Sequence, residues 1–332
     1  MDKRVIHAVA GSGKTRYIIE SLDVGIRTAI ITYTVTNQIE LKNRIIAKFG
    51  ELPKNIHVFG LFQFLYSFCL RPYYNEKKLK GIDFDTNVNR NRFHDFNGEY
   101  IYSNKISKVL ISRAQEYIDR INQFFDVIYI DEFQDLTAYD FDFALSLAAC
   151  STKVIYLGDF YQKTYSSSQV GTKGVGIQKD FDKWKSKLVS FDWDDSTLSK
   201  SVRCPSRVCD FIRNTMGINI NGVKDLPIEI KELTEKSDIG TVLENDGIKK
   251  LFYQKSYEYP CNAKNWGDSK GSEYESVCVV INKTTYEAFK KNELSLLPFQ
   301  TLSKFYVACT RTKGNLYFVE EKKVKAYYND II

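Results

Sequence analysis

The most informative stretch of the sequence is Ala8-Val9-Ala10-Gly11-Ser12-Gly13-Lys14-Thr15, near the start of the chain. A short apolar run, Val5–Val9, leads into this stretch, and residues 16–22 after it have helical spacing. A strand, a glycine loop and a helix in this order cradle phosphate groups, because backbone N–H groups and the helix N-terminus point at the anion. The stretch therefore predicts a nucleotide-binding α/β domain, with Ala8 where the usual pattern has glycine.

The last two side chains of this stretch carry the chemistry of such a loop. Lys14 reaches the outer phosphates of a nucleotide, and the Thr15 hydroxyl can bind Mg²⁺. We therefore expect a nucleotide to be held by the loop and the start of the helix that follows it. The candidate nucleotide-binding residues are Ala10, Gly11, Ser12, Gly13, Lys14, Thr15 and Arg16.

Length and composition narrow the class of protein. The chain has 332 residues, enough for two domains that each bury a core. With 43% hydrophobic and 27% charged residues, and no apolar run near the roughly 18 residues that cross a bilayer, a soluble globular protein is expected. Seven cysteines without a Cys-x-x-Cys pair favour free thiols in a reducing compartment, so we expect a cytoplasmic location. The net charge of +6 permits a nucleic-acid partner without requiring one.

Apolar, β-branched runs alternate with longer amphipathic stretches along the chain. This alternation predicts an α/β fold with parallel sheets flanked by helices, both faces of each sheet being covered. The predicted strands are residues 5–9, 28–34, 56–59, 126–130, 153–157, 276–281 and 315–319. Residues 71–102 break this rhythm as a small insertion, and residues 218–262 are interpreted as a connecting region. We expect two domains, residues 1–190 and residues 191–332.

A second informative segment, residues 126–135, is a buried strand followed by two adjacent acids. In a phosphate-loop enzyme Asp131 would hold the Mg²⁺ that bridges the outer phosphates, directly or through water. Glu132 would polarise the attacking water as general base. Acids are also common at helix starts, so without the glycine loop a solvated strand end would be the better interpretation. With the loop, the segment predicts nucleotide hydrolysis.

Further polar side chains are candidates for the same chemistry. Gln162 follows the strand at 153–157 and can hydrogen-bond a γ-phosphate or the attacking water, although alone it is an ordinary loop glutamine. Phosphoryl transfer also needs positive charge, and an arginine at the γ-phosphate is worth about 10³–10⁵ in rate. Arg203 and Arg311 are the candidates in the second half of the chain, and the sequence alone does not place either of them at the nucleotide.

The order of these motifs resembles superfamily 1 DNA helicases of the UvrD/Rep type. AGSGKT at 10–15 matches the first family motif, and DEFQD at 131–135 matches motif II, a string highly specific to the family. The other similar segments are TYTVTNQIELKNRI (32–45, motif Ia), HVFGLFQFL (57–65, motif Ib), GDFYQKTY (158–165, motif III), SVRCPS (201–206, motif IV), SKGSEYESV (269–277, motif V) and YVACTRTKGNLY (306–317, motif VI). The match is collinear from residue 5 to residue 319.

This resemblance implies a pair of RecA-like P-loop NTPase domains with ATP and Mg²⁺ in the cleft between them. Arg203 and Arg311 would act as arginine fingers, with Gly271 and Glu273 near the ribose and phosphates. Hydrolysis would move the protein along single-stranded DNA, which members of this type generally do from 3′ to 5′. The residues that would contact DNA by motif position are Tyr33, Thr34, Asn37, Phe62, Tyr165, Trp266 and Lys270. For each aromatic residue among them, core packing is the alternative.

The chain also departs from the family pattern. The glutamine motif that reads adenine has no place before Ala8, and Val202 stands where motif IV usually has tyrosine, so we expect a looser preference for ATP. Motif III is followed by Ser166–Ser168 instead of the Trp-Arg pair of many relatives. Only 66 residues separate Arg203 from Lys270, too few for the large accessory domain. We therefore expect translocation more than processive unwinding.

Other functions stay open. The chain is alternatively an ATPase subunit or switch of a DNA repair or phage-defence complex, in which a protein partner supplies accessory domains. A nucleic-acid-binding module in which the nucleotide only sets the conformation is a third interpretation, weakened because every expected hydrolytic residue is present. RNA is a variant of the first interpretation, since no residue that reads a 2′-hydroxyl can be identified.

Overall fold

The computed structural model describes residues 2–74, 78–85, 94–168, 170 and 173–330. The chain divides into two compact units. The first unit comprises Met1–His7, Lys14–Gly158 and Tyr165–Thr197, and the second comprises Ala8–Gly13, Asp159–Thr164 and Leu198–Ile332. Two short motif segments, residues 8–13 and 159–164, are thus grouped with the second unit. The predicted boundary at residue 190 stays a prediction.

The first unit is built on a parallel six-stranded sheet. The strands of this unit are β1 (Lys3–His7), β2 (Thr28–Thr32), β3 (Ile56–Gly60), β4 (Gly81–Asp83), β5 (Phe96–Asn97), β6 (Tyr100–Tyr102), β7 (Val127–Ile130), β8 (Lys153–Gly158) and β9 (Asp192–Asp194). The large sheet has the order β3-β2-β7-β8-β1-β9, and every pairing in it is parallel. All five residues of β2 are buried, as expected for a strand covered on both faces.

Helices flank this sheet, and their ends follow the capping rules. They are α1 (Lys14–Glu20), α2 (Val35–Phe49), α3 (Leu61–Gln63, continuing as a π-helix over Phe64–Leu70), α4 (Ile106–Ile111), α5 (Ala114–Phe124), α6 (Ala138–Ser146) and α7 (Phe181–Ser186). Helix α2 begins where the Thr34 hydroxyl accepts a hydrogen bond from the Asn37 N–H, and it ends at Gly50, whose φ of 84° suits glycine. Short 3₁₀ turns occupy Ser103–Lys105, Phe133–Asp135, Leu147–Ala149 and Ile177–Lys179.

The segment predicted as an insertion, residues 71–102, contains a small sheet of its own. Strand β6 pairs in parallel with β4 and antiparallel with β5, and an ion pair between Lys80 and Glu99 links the residues just before β4 and β6. Residues 75–77 and 86–93 of this segment lie outside the described residues. The break in the strand–helix rhythm therefore corresponds to a separate three-stranded sheet.

The second unit has a parallel five-stranded sheet in the order β12-β16-β15-β13-β14, and β10 pairs with β11 beside it. Its strands are β10 (Lys200–Pro205), β11 (Asn221–Lys224), β12 (Ile230–Glu232), β13 (Ile248–Phe252), β14 (Ala263–Asn265), β15 (Ser276–Ile281) and β16 (Leu316–Glu320). Its helices are α8 (Ser206–Met216), α9 (Lys236–Glu244), α10 (Lys283–Lys290), α11 (Phe299–Cys309) and α12 (Glu321–Asn329). Its 3₁₀ turns are Phe160–Gln162, Ser256–Glu258, Gly267–Ser269 and Leu294–Leu296. The predicted α/β class with parallel sheets and flanking helices is confirmed.

The interpretation of residues 218–262 as a connecting region was wrong. This segment supplies β12 and β13 of the five-stranded sheet, together with β11 and helix α9. Strand β13 was not predicted because its lysines interrupt the apolar run. One of them, Lys250, is fully buried, and its Nζ donates to the Asn245 carbonyl at 2.7 Å. Burial lowers the pKa of Lys250. Polar residues also hide β9, which extends the first sheet beside β1.

No helix in the described part of the chain is both long and apolar enough to cross a membrane.

Candidate nucleotide and nucleic-acid sites

The glycine loop is held in a conformation that requires glycine. Gly11 has a φ of 69° and Gly13 a φ of 93°, values that other residues rarely adopt. A Cβ on Gly11 would lie 2.5 Å from Arg203 Cβ and 2.8 Å from Ser201 Oγ. Within the second unit, the segment around Arg203, a candidate arginine finger, therefore packs directly against Gly11.

Part of the loop is already hydrogen-bonded within the protein. The Ala10 N–H donates to the Tyr306 hydroxyl at 3.1 Å, and the Ser12 N–H donates to the Val9 carbonyl at 3.2 Å. These two amides, both among the predicted nucleotide contacts, are thus engaged in this structure. The buried Ser12 hydroxyl has no hydrogen-bond partner among the described residues, which makes it a ready donor for a bound phosphate.

Of the two acids after β7, Glu132 lies beside the lysine of the nucleotide-binding stretch in the first unit. Lys14 Nζ is 3.5 Å from Glu132 Oε1, and the two side chains are 11% and 15% exposed. Asp131 is buried, and its Oδ1 accepts the Glu132 N–H at 3.0 Å. The structure therefore brings together three residues that the sequence assigned separately to phosphate binding, metal binding and base catalysis.

Gln134, which was not among the predicted site residues, holds the candidate base Glu132. Gln134 Nε2 donates to Glu132 Oε2 at 2.5 Å, and Gly158 at the end of β8 makes room for it, because a Cβ there would lie 2.5 Å from Gln134 Oε1. Glu132 itself has a φ of 55°, a strained value for a residue with a side chain. Gln134 is part of the string DEFQD, but only the folded structure shows that its amide contacts Glu132 Oε2.

The residues proposed for Mg²⁺ fit an ion that shares its ligands with a nucleotide. Thr15 is half-buried in α1 and Asp131 is buried after β7. Among the described residues, no group of three or more His, Cys, Asp or Glu side chains could hold a metal alone. Mg²⁺ usually takes one or two protein carboxylates and completes its shell with phosphates and water, which these two residues allow.

Arg16, a predicted nucleotide contact, is exposed, and its Nε donates to Glu20 at 2.6 Å.

In the second unit, a buried network joins Arg311 to the loop. Arg311 is 1% exposed, and its Nη2 donates to Gln162 Oε1 at 3.1 Å. Gln162 Nε2 and the Tyr306 hydroxyl both donate to Asp159 Oδ2, at 2.9 and 3.0 Å. Since Tyr306 also accepts the Ala10 N–H, the network runs from the arginine to the loop. Burial and the neighbouring Asp159 hold the pKa of Tyr306 well above its usual value.

The other candidate arginine is paired with the acid of motif V. Arg203 Nε donates to Glu273 Oε1 at 2.8 Å, and Arg203 Nη2 lies 2.7 Å from the same oxygen. Lys313 Nζ lies 3.5 Å from Glu273 Oε2. Burial alone would raise the pKa of Glu273, but these two cations lower it overall. Gly271, two residues earlier, has a φ of 81°. Arg203 and Glu273 are therefore brought together with each other and, through Arg203, with Gly11.

Two predicted nucleic-acid contacts, Tyr33 and Phe62, lie side by side in the first unit. Their ring centroids are 6.1 Å apart, and Phe84 meets Phe62 edge-on at 5.3 Å. Phe84 is 59% exposed and follows β4 of the small sheet. It was missed because a phenylalanine in an irregular polar segment gives no signal by itself. Thr34 and Asn37, also predicted to contact DNA, form the cap at the start of α2.

The segment after motif III is fixed by buried hydrogen bonds in the first unit. Asp140 is buried and accepts the Ser107 and Ser167 hydroxyls at 2.6 and 2.7 Å, and Thr137 exchanges hydrogen bonds with Ser168. Burial raises the pKa of Asp140 despite these hydroxyl groups. Tyr165, at the edge of this segment, remains 44% exposed. The serines that replace the Trp-Arg pair therefore anchor the segment and leave Tyr165 accessible.

The prediction that Trp266 contacts DNA was wrong in this structure. Trp266 is 0% exposed, its Nε1 donates to the Leu251 carbonyl at 2.9 Å, and its ring packs against Phe305. A ring enclosed in this way presents no face to a base. Lys270 follows at the end of the 3₁₀ turn Gly267–Ser269 and is half-buried.

Comparison with known proteins supports the helicase interpretation. A family model described as viral superfamily 1 RNA helicase core domain matches residues 86–320, more than half of the chain. The match begins after the glycine loop and includes the acids, Gln162 and both candidate arginines. The sequence matches none of the curated proteins.

Solved structures of viral helicases share the fold. A PRRSV helicase matches with a TM-score of 0.52 and 11% identity, over 96% of this chain and 52% of that chain. The complex of arterivirus nonstructural protein 10 (helicase) with DNA matches with a TM-score of 0.51 and 11% identity, over 96% and 60%. This chain therefore spans about half to three fifths of the solved chains it matches, and at this identity they support the fold alone.

The assignment to superfamily 1 is thus confirmed, whereas nucleotide hydrolysis, helicase activity, the UvrD/Rep type and DNA as the substrate stay predictions. The ion pair between Glu132 and Lys14, the arginine network at the loop and the match over residues 86–320 agree with one another. The chain belongs to the viral superfamily 1 RNA helicase core domain family.

Proposed function

We propose that this protein is an NTP-driven motor that moves along single-stranded nucleic acid and separates short duplexes. The observation that carries the proposal is that, in each unit by itself, a charged side chain lies beside a residue of the nucleotide-binding stretch. Lys14 of the loop lies 3.5 Å from Glu132 within the first unit. Gly11 of the same loop packs against Arg203 within the second unit, and Ala10 is joined to Arg311 through Tyr306, Asp159 and Gln162.

In this proposal the hydrolytic step is carried by Glu132. Its carboxylate accepts a proton from the attacking water, and Lys14 and Gln134 orient it through the contacts at 3.5 and 2.5 Å. Thr15 and Asp131 would hold Mg²⁺, which supplies charge neutralisation at the outer phosphates when bound. The glycine loop would bind the phosphates through its amides and the Ser12 hydroxyl.

The arginines would respond to the charge on the γ-phosphate. Arg311 is held by Gln162, a group able to bind that phosphate or the attacking water. Arg203 is paired with Glu273, and it would exchange this carboxylate for a phosphate oxygen when a nucleotide is bound. An equivalent arginine in nucleotide hydrolases is worth about 10³–10⁵ in rate. The change in these pairings would couple hydrolysis to movement.

The proposal also covers the nucleotide, the type of nucleic acid and the direction of movement. We propose ATP as the usual nucleotide, with weak discrimination against other NTPs because Val202 offers no ring to a base. RNA and DNA are both proposed as tracks, since the matching family is described for RNA helicases and a structural neighbour was solved with DNA. Movement from 3′ to 5′ and membership of the UvrD/Rep type rest on the motif resemblance alone.

A second candidate function is an NTPase subunit that works with a protein partner in repair or phage defence. The observation that favours it is the short segment between Arg203 and Lys270. It holds helices α8 and α9, strands β11 to β14 and two 3₁₀ turns, which leaves no room for a large accessory domain. Hydrolysis that appears only after a partner protein is added would support this function over the first.

The test is steady-state ATP hydrolysis with and without single-stranded oligonucleotides of dT and rU. We expect hydrolysis that rises with the oligonucleotide and falls by about 10²–10⁴ in Glu132→Gln. Glu51→Gln, an exposed acid of the same unit, is the matched control and should behave as the unaltered protein. Hydrolysis that is equal in Glu132→Gln and the control would contradict the proposed role of the acid.

A further inference from the structure

Two polar side chains lie close to the segment that follows the buried Trp266 in the second unit. The 3₁₀ turn Gly267–Ser269 follows this tryptophan. A Cβ on Gly267 would lie 3.8 Å from Lys304 Cε and 3.9 Å from Thr164 Cβ. Lys304 and Thr164 therefore flank the same glycine, although they come from α11 and from the end of motif III.

The charge on Lys304 is held in place by an aromatic ring. Its Nζ lies 5.4 Å from the centroid of Tyr253, whose ring meets Trp266 edge-on at 5.2 Å. In the described part of the chain, no carboxylate lies within salt-bridge distance of Lys304 Nζ. Lys290, by contrast, also sits over a tyrosine ring but is paired with Glu232 at 2.9 Å. A positioned ammonium without a carboxylate is suited to an anion from outside the protein.

Thr164 gives a second, independent sign of a ligand. Its hydroxyl oxygen is buried without a hydrogen-bond partner among the described residues. Buried hydroxyls are normally paired, so an unpaired one calls for a physical explanation such as a missing ligand. A phosphate oxygen can accept this hydroxyl and also bind the neighbouring ammonium.

We propose that Lys304 and Thr164 bind one phosphate of the single-stranded nucleic-acid backbone, with Tyr253 positioning the ammonium. This inference rests on the proposed function and replaces the DNA contact predicted for Trp266. A phosphodiester oxygen accepts from both groups at once, and no base is read, so RNA and DNA bind alike at this position.

The position of the two groups in the chain links them to the nucleotide residues of the same unit. Lys304 lies on α11 two residues before Tyr306, which contacts Ala10 and Asp159. Thr164 lies two residues after Gln162, which contacts Arg311. A shift of this network on hydrolysis would therefore displace both groups that hold the phosphate.

The experiment measures binding of fluorescent single-stranded dT and rU oligonucleotides by anisotropy over a range of salt concentrations. In Lys304→Ala we expect about tenfold weaker binding at low salt, since a hydrogen bond to a charged group is lost. The slope of log affinity against log salt should fall by about 0.7, the value for one phosphate contact on a single strand. Lys290→Ala, the matched lysine–tyrosine pair, should change neither quantity.

Thr164→Val separates a ligand role from a packing role. Because the hydroxyl has no partner, its loss should leave thermal stability unchanged, while oligonucleotide binding weakens by about threefold to tenfold. Absence of oligonucleotide binding by the unaltered protein would overturn the proposed function and this inference together. Normal binding by the unaltered protein, with Lys304→Ala keeping the same affinity and salt slope, would overturn this inference alone.

Discussion

Glu132 and Arg311 are both charged groups of the proposed hydrolytic machinery, yet the protein holds them in different ways. Glu132 is 15% exposed, and Gln134, only two residues away, holds its carboxylate. Arg311 is 1% exposed, and its partner Gln162 lies 149 residues away in the chain. The acid is thus positioned by local sequence and a strained backbone, whereas the arginine is positioned by the fold of a whole unit.

Glu132 and Arg311 should therefore respond differently to mutation. A locally positioned group can lose activity without loss of stability, because few distant contacts depend on it. A group embedded in a buried network should lose both together, since its removal leaves polar neighbours unpaired.

The largest effect is expected for Arg311→Ala. Hydrolysis should fall by about 10³–10⁵, and the free energy of unfolding should fall by about 1–3 kcal/mol because Gln162 loses its buried donor. Stopped-time hydrolysis assays and thermal denaturation measure the two changes. Arg213→Ala on α8, a partly exposed arginine paired with Asp210, should leave hydrolysis intact. Loss of stability with full hydrolysis in Arg311→Ala would show that this arginine is structural.

Gly11→Ala should abolish nucleotide binding and destabilise the protein. The new Cβ would meet Arg203 Cβ at 2.5 Å, in addition to about 1 kcal/mol for a positive φ. Gly50→Ala is the matched control, because Gly50 also has a positive φ but nothing within 4 Å of its Cβ position. It should lose stability alone. Binding of a fluorescent ATP analogue measures the difference, and equal binding by both variants would contradict the contact between loop and arginine segment.

Gln134→Ala tests the local positioning of the acid. We expect the turnover rate to fall about tenfold, because Glu132 loses a charge-assisted hydrogen bond that orients it. The Michaelis constant for the nucleotide should change little, since Gln134 makes no proposed contact with the phosphates. An unchanged turnover rate would mean that Lys14 and the strained backbone suffice to hold the acid.

The smallest effect concerns the base of the nucleotide. Val202 replaces the tyrosine of related motifs and is exposed in β10. Rates with ATP and GTP should therefore differ by less than about tenfold, the factor that 1.4 kcal/mol of selective binding would give. Val202→Tyr should increase the preference for ATP. A strong ATP preference in the unaltered protein would show that another residue reads adenine.

The sequence predicted the parts of the molecule whose signals are local. Strands such as β2 and β7 consist mostly of β-branched residues, with one alanine in β2 and one tyrosine in β7, so their positions follow from pattern alone. The two acids follow β7 directly, which predicted that they would lie at the carboxyl end of a parallel strand. The glycine loop needs no distant residue to be recognised.

Other features depend on packing that no short string encodes. Trp266 stands in a motif region but is enclosed by Phe305 and Tyr253, and Phe84 reaches Phe62 from a segment with no regular pattern. Strand β13 contains a buried lysine, which conceals its periodicity. The engagement of the Ala10 amide by Tyr306 joins residues 296 positions apart, and sequence spacing does not predict such a contact.

Movement of the protein along a single strand can be measured by NTP-dependent displacement of streptavidin from the ends of biotinylated single strands. A motor that moves in one direction should displace streptavidin from one end only, in the presence of hydrolysable NTP, and Glu132→Gln should displace it from neither end. We expect displacement from the 5′ end of the strand, as movement from 3′ to 5′ requires. Nucleic-acid-stimulated hydrolysis without displacement from either end would contradict the account of a motor.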